Sequence, residues 1–207
     1  MVRAELLPWA IAVFSLLVLL SLARSSRQML QLYRISAAVA SAAAVFVGIA
    51  DHQVSWVVVG AVSLVAKAGI LPTLGMRLLP KTYGALSSGT PRQAFGASLL
   101  ALCLVAAYGD LGWLLADTLV PLLLAALRRD AKGRALLFLS AELGVFLLET
   151  ALDPHLTLIA APFFALGDLI LIAIVLFAAL AGGTFPSLDH ALDRLPTTTH
   201  QDLEGAR

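Results

Sequence analysis

The chain has 207 residues, a formal net charge of +1 and one cysteine, Cys103, set within an apolar run. That charge balance gives no electrostatic footprint for nucleic acid, and a lone cysteine excludes a disulfide framework, a Cys-rich metal motif and an iron–sulfur ligand set. With 60% hydrophobic and 13% charged residues and a mean hydropathy of +0.92, the composition is that of a polytopic membrane protein, not of a soluble domain.

The apolar runs predict an all-α transmembrane helix bundle of seven spans: Leu6–Ala23, Ile35–Ala50, Val54–Met76, Ala94–Tyr108, Leu111–Arg128, Ala135–Leu152 and Leu156–Ala181. The first is longer than the apolar run of a signal peptide, Arg3 is offset by Glu5, and the arginines that follow point to an uncleaved helix. Small residues crowd the second span (SAAVASAAAVFVG), which suits close helix packing. The third holds Lys67 and Pro72. The fourth is short for a crossing of about 20 residues and ends in the tight YGDLG turn, so a six-span reading with one re-entrant or distorted segment stays open. Cys103, in the fourth, reads as a small buried hydrophobe. The fifth holds Asp117 and Pro121, the sixth Glu142 and Glu149, the seventh Pro162 and Asp168. Each intramembrane proline predicts a kink whose freed carbonyl a neighbour can satisfy. Residues 1–181 thus form the membrane domain, and residues 182–207 a polar cytoplasmic tail. No internal repeat is visible, which speaks against an inverted-repeat transporter.

Ten of the fourteen Lys and Arg residues lie in alternate linkers: Arg24, Arg27 and Arg34; Arg77, Lys81 and Arg92; and Arg128, Arg129, Lys132 and Arg134. The intervening turns at 51–53, 109–110 and 153–155 hold none. Positive loops stay cytoplasmic, which predicts an external amino terminus, a cytoplasmic carboxyl tail and an odd number of spans. The cell inner (plasma) membrane is the expected location.

Four ionisable residues fall at membrane depth: Lys67, Asp117, Glu142 and Asp168. A charge there is costly and is by default a functional site with a partner to be found. Counting about 1.5 Å per residue from the outer ends puts Lys67 about 20 Å deep, Asp168 about 18 Å, Glu142 about 15 Å and Asp117 about 9 Å. A lateral row of Lys67, Glu142 and Asp168 near the midplane follows, with Glu149 two turns from Glu142 and solvated near the outer end. The bland readings are a structural ion pair for Lys67 with either acid, a local bond from Asp117 to Thr118 or a cap on a helix broken before Pro121, and snorkelling for Arg34 and Arg77. No span carries a histidine, so axial haem ligation has nothing to use. No Gly-rich phosphate loop, HExxH or GxSxG occurs. The chain is expected to hold no cofactor and no active site of its own.

The stretch LQLYRISAAVASAAAVFVGIADHQVSWVVVGAVSLVAKAGILPTLGMRLLP has Tyr33 before the second span, Lys67 within the third and Pro72 five residues later. It resembles the hydrogenase-4 component E family. The stretch RALLFLSAELGVFLLETALDPHLTLIAAPFFALGDLILIAIVLF resembles the same family's carboxyl half, itself similar to the K subunit of complex I and the C subunit of Mrp antiporters. The resemblance covers most of residues 24–181. It implies that Glu142 and Asp168 are the family's pair of buried acids and Lys67 its lysine. The chain departs from the pattern at Ser36 and Ala37 (Gln-Ser expected), at Leu143 and Phe146 (Asn and His) and at Asp117 (His).

What the resemblance implies is a membrane-arm subunit of a complex I-like group 4 hydrogenase or formate hydrogenlyase. Its partners would be antiporter-like membrane subunits and a soluble redox arm holding the nickel-iron and iron–sulfur centres. Glu142, Asp168 and Asp117 would exchange protons along a lateral path, with Lys67 modulating their proton affinity. The rivals are a passive scaffold subunit of such a complex and a free-standing small transporter.

Overall fold

A computed structural model describes residues 4–23, 25–73, 91–128 and 131–152. Among the described residues the chain is all helical. A single 3-10 turn (Ala4–Leu6) leads into α1 (Leu7–Leu22), followed by α2 (Ser26–Ala50), α3 (Val54–Thr73), α4 (Pro91–Tyr108), α5 (Asp110–Leu127) and α6 (Ala131–Leu152). Four of these, α2, α3, α5 and α6, are long and apolar enough to cross a membrane, whereas α1 and α4 are shorter apolar helices. The expected seventh span, Asp168 within it, and the polar tail lie outside the described residues.

Local chemistry sets the helix ends. Ser25 caps α2, its hydroxyl accepting from the Gln28 amide at 3.2 Å, so this helix begins nine residues before the apolar run from Ile35. Arg27 and Arg34 are therefore helical residues, not linker residues. The same holds for Arg92 in α4 and for Lys132 and Arg134 in α6. Hydropathy marks where hydrocarbon begins; capping marks where the helix begins.

At the other end of α2, His52 takes a left-handed conformation (φ 56°), the Gln53 amide donates to the Gly48 carbonyl at 2.7 Å, and the His52 amide reaches the Ile49 carbonyl at 3.3 Å. This is a Schellman ending with histidine where glycine is usual, and it turns the chain back into α3. Gly109, at φ 60° and ψ −135°, makes the corresponding reversal between α4 and α5, a conformation that admits glycine and little else.

Helices α1, α2, α6 and α5 pack in a ring, each against the next, and two further helices lean on it: α3 against α2, and α4 against α5. Small residues make the α2–α3 contact close. Ala37, Ala40 and Ala44 are fully buried, and a Cβ at Gly60 would lie 2.9 Å from the Ser41 carbonyl. Such close backbone approach supplies the dispersion and weak polar contacts that hold helices together where apolar burial gives no preference over lipid. The outer faces carry many exposed apolar side chains, among them Phe95, Val65, Ile49 and Leu102. An apolar outside is an aggregation hazard in water and the natural surface in lipid. Cys103 lies on that outer surface. The expectation that it is buried is thus corrected: the inner face of α4 is taken by Ala94, Ala97 and Ala101, and Cys103 falls on the opposite side.

Candidate functional site: two buried ionisable loci on either side of α6

Lys67 is fully buried on α3. The helix around it is irregular, running as an α-helix to Ser63, widening into a π-helical stretch over Leu64–Ile70 and closing again over residues 71–73. The wide turn is visible in its hydrogen bonding, for the Leu71 amide donates to the Ala66 carbonyl five residues back. Pro72 explains the position. It has no amide to continue the ladder, and its ring would press on the carbonyl four residues earlier. The Thr73 hydroxyl donates to the Gly69 carbonyl at 2.6 Å, giving the last turn a side-chain substitute. The kink expected from Pro72 thus takes the form of a widened turn, and Lys67 sits in its middle. Such insertions in α-helices are frequent at functional sites.

The Lys67 ammonium donates to Glu142 Oε1 on α6 and lies 4.6 Å from the centroid of the Phe146 ring, one turn further along that helix. Trp56, also fully buried, meets Phe146 edge to face with centroids 6.3 Å apart. The α3–α6 seam therefore presents a cation to a carboxylate and to an aromatic face together, both favourable to a desolvated ammonium. Position 56 lies eleven residues before Lys67, on nearly the same helical face, and Phe146 is one turn from Glu142. In the sequence Phe146 stands out only as a departure from the family pattern and Trp56 not at all, although their spacing from the charged pair was the available signal.

Asp117 occupies the other side of α6. It is 1% exposed, and neither carboxyl oxygen has a hydrogen-bond partner. Both local bonds considered for it are absent. The Thr118 hydroxyl donates instead to the Leu114 carbonyl at 3.2 Å, and α5 runs unbroken through Pro121, leaving no interrupted end to cap. What surrounds Asp117 is backbone. Pro121 has no amide for the Asp117 carbonyl four residues back, and Gly144 of α6 lies against that same carbonyl. A Cβ at Gly144 would overlap it and would stand 2.6 Å from the Thr118 nitrogen.

Glu142 and Gly144 are two residues apart, about 200° around the helix and about 3 Å along it. The Lys67–Glu142 pair and Asp117 are therefore at nearly one level of the bundle, on opposite flanks of α6. Counting from span ends put Asp117 about 6 Å shallower than Glu142. The close approach at Gly144 halves that offset. Lys67 and Glu142 are brought together; Asp117 is not part of their cluster, and Asp168 lies outside the described residues. Glu149 is half-buried on the Glu142 side, and Arg34 is exposed at the α2 surface, consistent with snorkelling.

Fold and site together define a bundle of apolar helices, four of them of membrane-crossing length among the described residues, that keeps ionisable side chains in its interior. Comparison with family models, curated proteins and solved structures finds no match to this chain.

Proposed function

We propose that this chain is a non-catalytic membrane-arm subunit of a complex I-like oxidoreductase of the group 4 hydrogenase or formate hydrogenlyase type, and that it supplies part of a lateral proton path. The reading places it in the cell inner (plasma) membrane, amino terminus outside and carboxyl tail cytoplasmic. It sits beside antiporter-like subunits, and the redox centres belong to a soluble arm. The observation that carries the proposal is the level formed by Lys67, Glu142 and Asp117. A packing role needs no acid beyond the one that pairs with Lys67, yet Asp117 is kept in the interior with no hydrogen-bond partner. Buried polar atoms in that condition cost about 1–3 kcal/mol each, a cost that selection for stability alone removes.

In this reading a proton arriving at Glu142 neutralises it and loosens its hold on Lys67, whose ammonium keeps the Phe146 face as a partner. Departure of the proton restores the pair. Asp117 accepts or passes a proton on the far flank of α6, and Asp168, at the depth its span gives it, is the further acid of the proposed row. The rival is a passive scaffold. The closed Lys67–Glu142 pair favours it, since an ion pair joining two helices is sufficient reason for both residues.

The two readings separate on Glu142→Gln. The amide keeps volume and an acceptor for Lys67 but cannot exchange the carboxyl proton. Measured as protons moved per electron in vesicles containing the assembled complex, coupling is expected to fall while subunit content stays unchanged. Normal coupling in an intact complex establishes the scaffold instead.

A further inference from the structure

An apolar groove of about 590 Å³ runs along the outside of the bundle between α1, α2 and the widened turn of α3. Trp9 closes one end, Ala38 and Ala42 form the floor, Val65 and Gly69 form a wall, and Arg34 stands at the other end. Three features give the groove a direction. From Arg34 to Ala42 it follows two turns of α2, about 12 Å, comparable to the roughly 15 Å depth of one leaflet of hydrocarbon. Arg34 is the last charged residue of α2 before the uninterrupted apolar run from Ile35, so it lies at the boundary where hydrocarbon gives way to headgroups. And the Arg34 guanidinium makes no hydrogen bond or ion pair within the described residues. A trough lined by small and aliphatic side chains with one tryptophan, of acyl-chain length and ending in a planar cation unpaired among the described residues, matches one kind of molecule end to end.

We propose that this groove is a binding site for an anionic phospholipid, with one acyl chain lying between α1 and α3 and the headgroup phosphate engaged by Arg34. The guanidinium fork suits phosphate oxygens, and an added anionic headgroup supplies the counter-charge that the described residues do not. The widened turn contributes directly. Gly69, within that turn, lies beside open space, where a Cβ would touch nothing within 4 Å. The inference uses the membrane setting proposed above but is independent of proton translocation, and its test involves neither turnover nor coupling.

The experiment is native mass spectrometry of the full-length chain released from nanodiscs of phosphatidylglycerol mixed equally with phosphatidylcholine of the same acyl composition. One basic residue near a headgroup contributes enough to favour the anionic lipid about fivefold in the retained one-lipid adduct. Arg34→Gln is expected to remove that preference, and Arg34→Lys to keep most of it. Gly69→Leu fills the trough in space that is already open, and is expected to reduce retention of both lipids. Equal retention of the two lipids by the unaltered chain overturns the proposal, as does an unchanged preference in Arg34→Gln. So does protection of the groove from an acyl-chain photoprobe in the intact assembly, which would show a helix of another protein in its place.

Discussion

The two flanks of α6 handle buried charge in opposite ways at the same height. Toward α3, Glu142 is matched by a lysine carried on a widened turn and backed by an aromatic ring. Toward α5, Asp117 is pressed against Gly144 with both oxygens unpartnered. The first arrangement is the familiar solution to an intramembrane ion, a partner on the neighbouring helix. The second spends close helix contact, normally reserved for small apolar residues, on the backbone of an acid. Stability should therefore depend on the Glu142 carboxyl through its partner, and hardly at all on the carboxyl of Asp117.

The largest expected effect is on the paired flank. Lys67→Met leaves the Glu142 carboxylate buried without its cation and should cost about 3–5 kcal/mol, read from unfolding in mixed micelles. Lys67→Met combined with Glu142→Gln should recover most of that loss, since neither charge then remains. Additive losses in the double variant would mean that the pair does not act as a unit.

Next comes the contact beneath Asp117. Gly144→Val places methyl groups where the Asp117 carbonyl already lies, and backbone cannot step aside as a flexible side chain can. A loss of about 1–3 kcal/mol or more is expected by the same measurement. Little change would show that α5 and α6 are less closely packed than described.

Smallest is the effect of removing the unpartnered carboxyl itself. Asp117→Ala breaks no hydrogen bond, so the unfolding free energy should stay within about 0.5 kcal/mol of the parent or rise, because a buried unsatisfied group disappears. On the proposed proton-path reading, the same variant should also lower protons moved per electron in the assembled complex. A marked loss of stability would show that Asp117 has a structural partner after all, and the contrast between the flanks would collapse.

Much of the paired flank was legible in the sequence because it rests on quantities that sequence carries: span ends, rise per residue and the sign of each charge. Lys67 and Glu142 come out at compatible depths on antiparallel spans, and they meet. Pro72 marked the irregularity of α3, but a proline states only that an amide is missing; whether the helix kinks or widens is decided by the bonds its neighbours find. Asp117 was legible as a buried acid, and the bland alternative for it, a local bond to Thr118 or a cap, is not what the structure shows. Thr118 prefers its own backbone carbonyl four residues back, and the partner surface is a glycine on another helix, twenty-seven residues away, with no side chain to announce it. Cys103 was placed on the wrong side because an apolar run in a membrane helix does not distinguish inside from outside; the small residues Ala97 and Ala101 on the packed face of α4 did carry that information.

The π-helical turn has a consequence for the family history of such a chain. A widened turn is equivalent to one residue inserted into an α-helix without breaking it, and each residue of an α-helix accounts for about 100° of rotation. Loss of a single codon between positions 64 and 70 would take that extra residue out of α3. Everything on one side of the deletion would then be turned by roughly that angle relative to the other. Either Trp56 and Ser63 or Pro72 and Thr73 would leave their present faces, and Lys67 could not keep its register with both. A change in the length of α3 between Trp56 and Pro72 therefore does what no single substitution does: it separates the ammonium from the indole that meets the same face of α6.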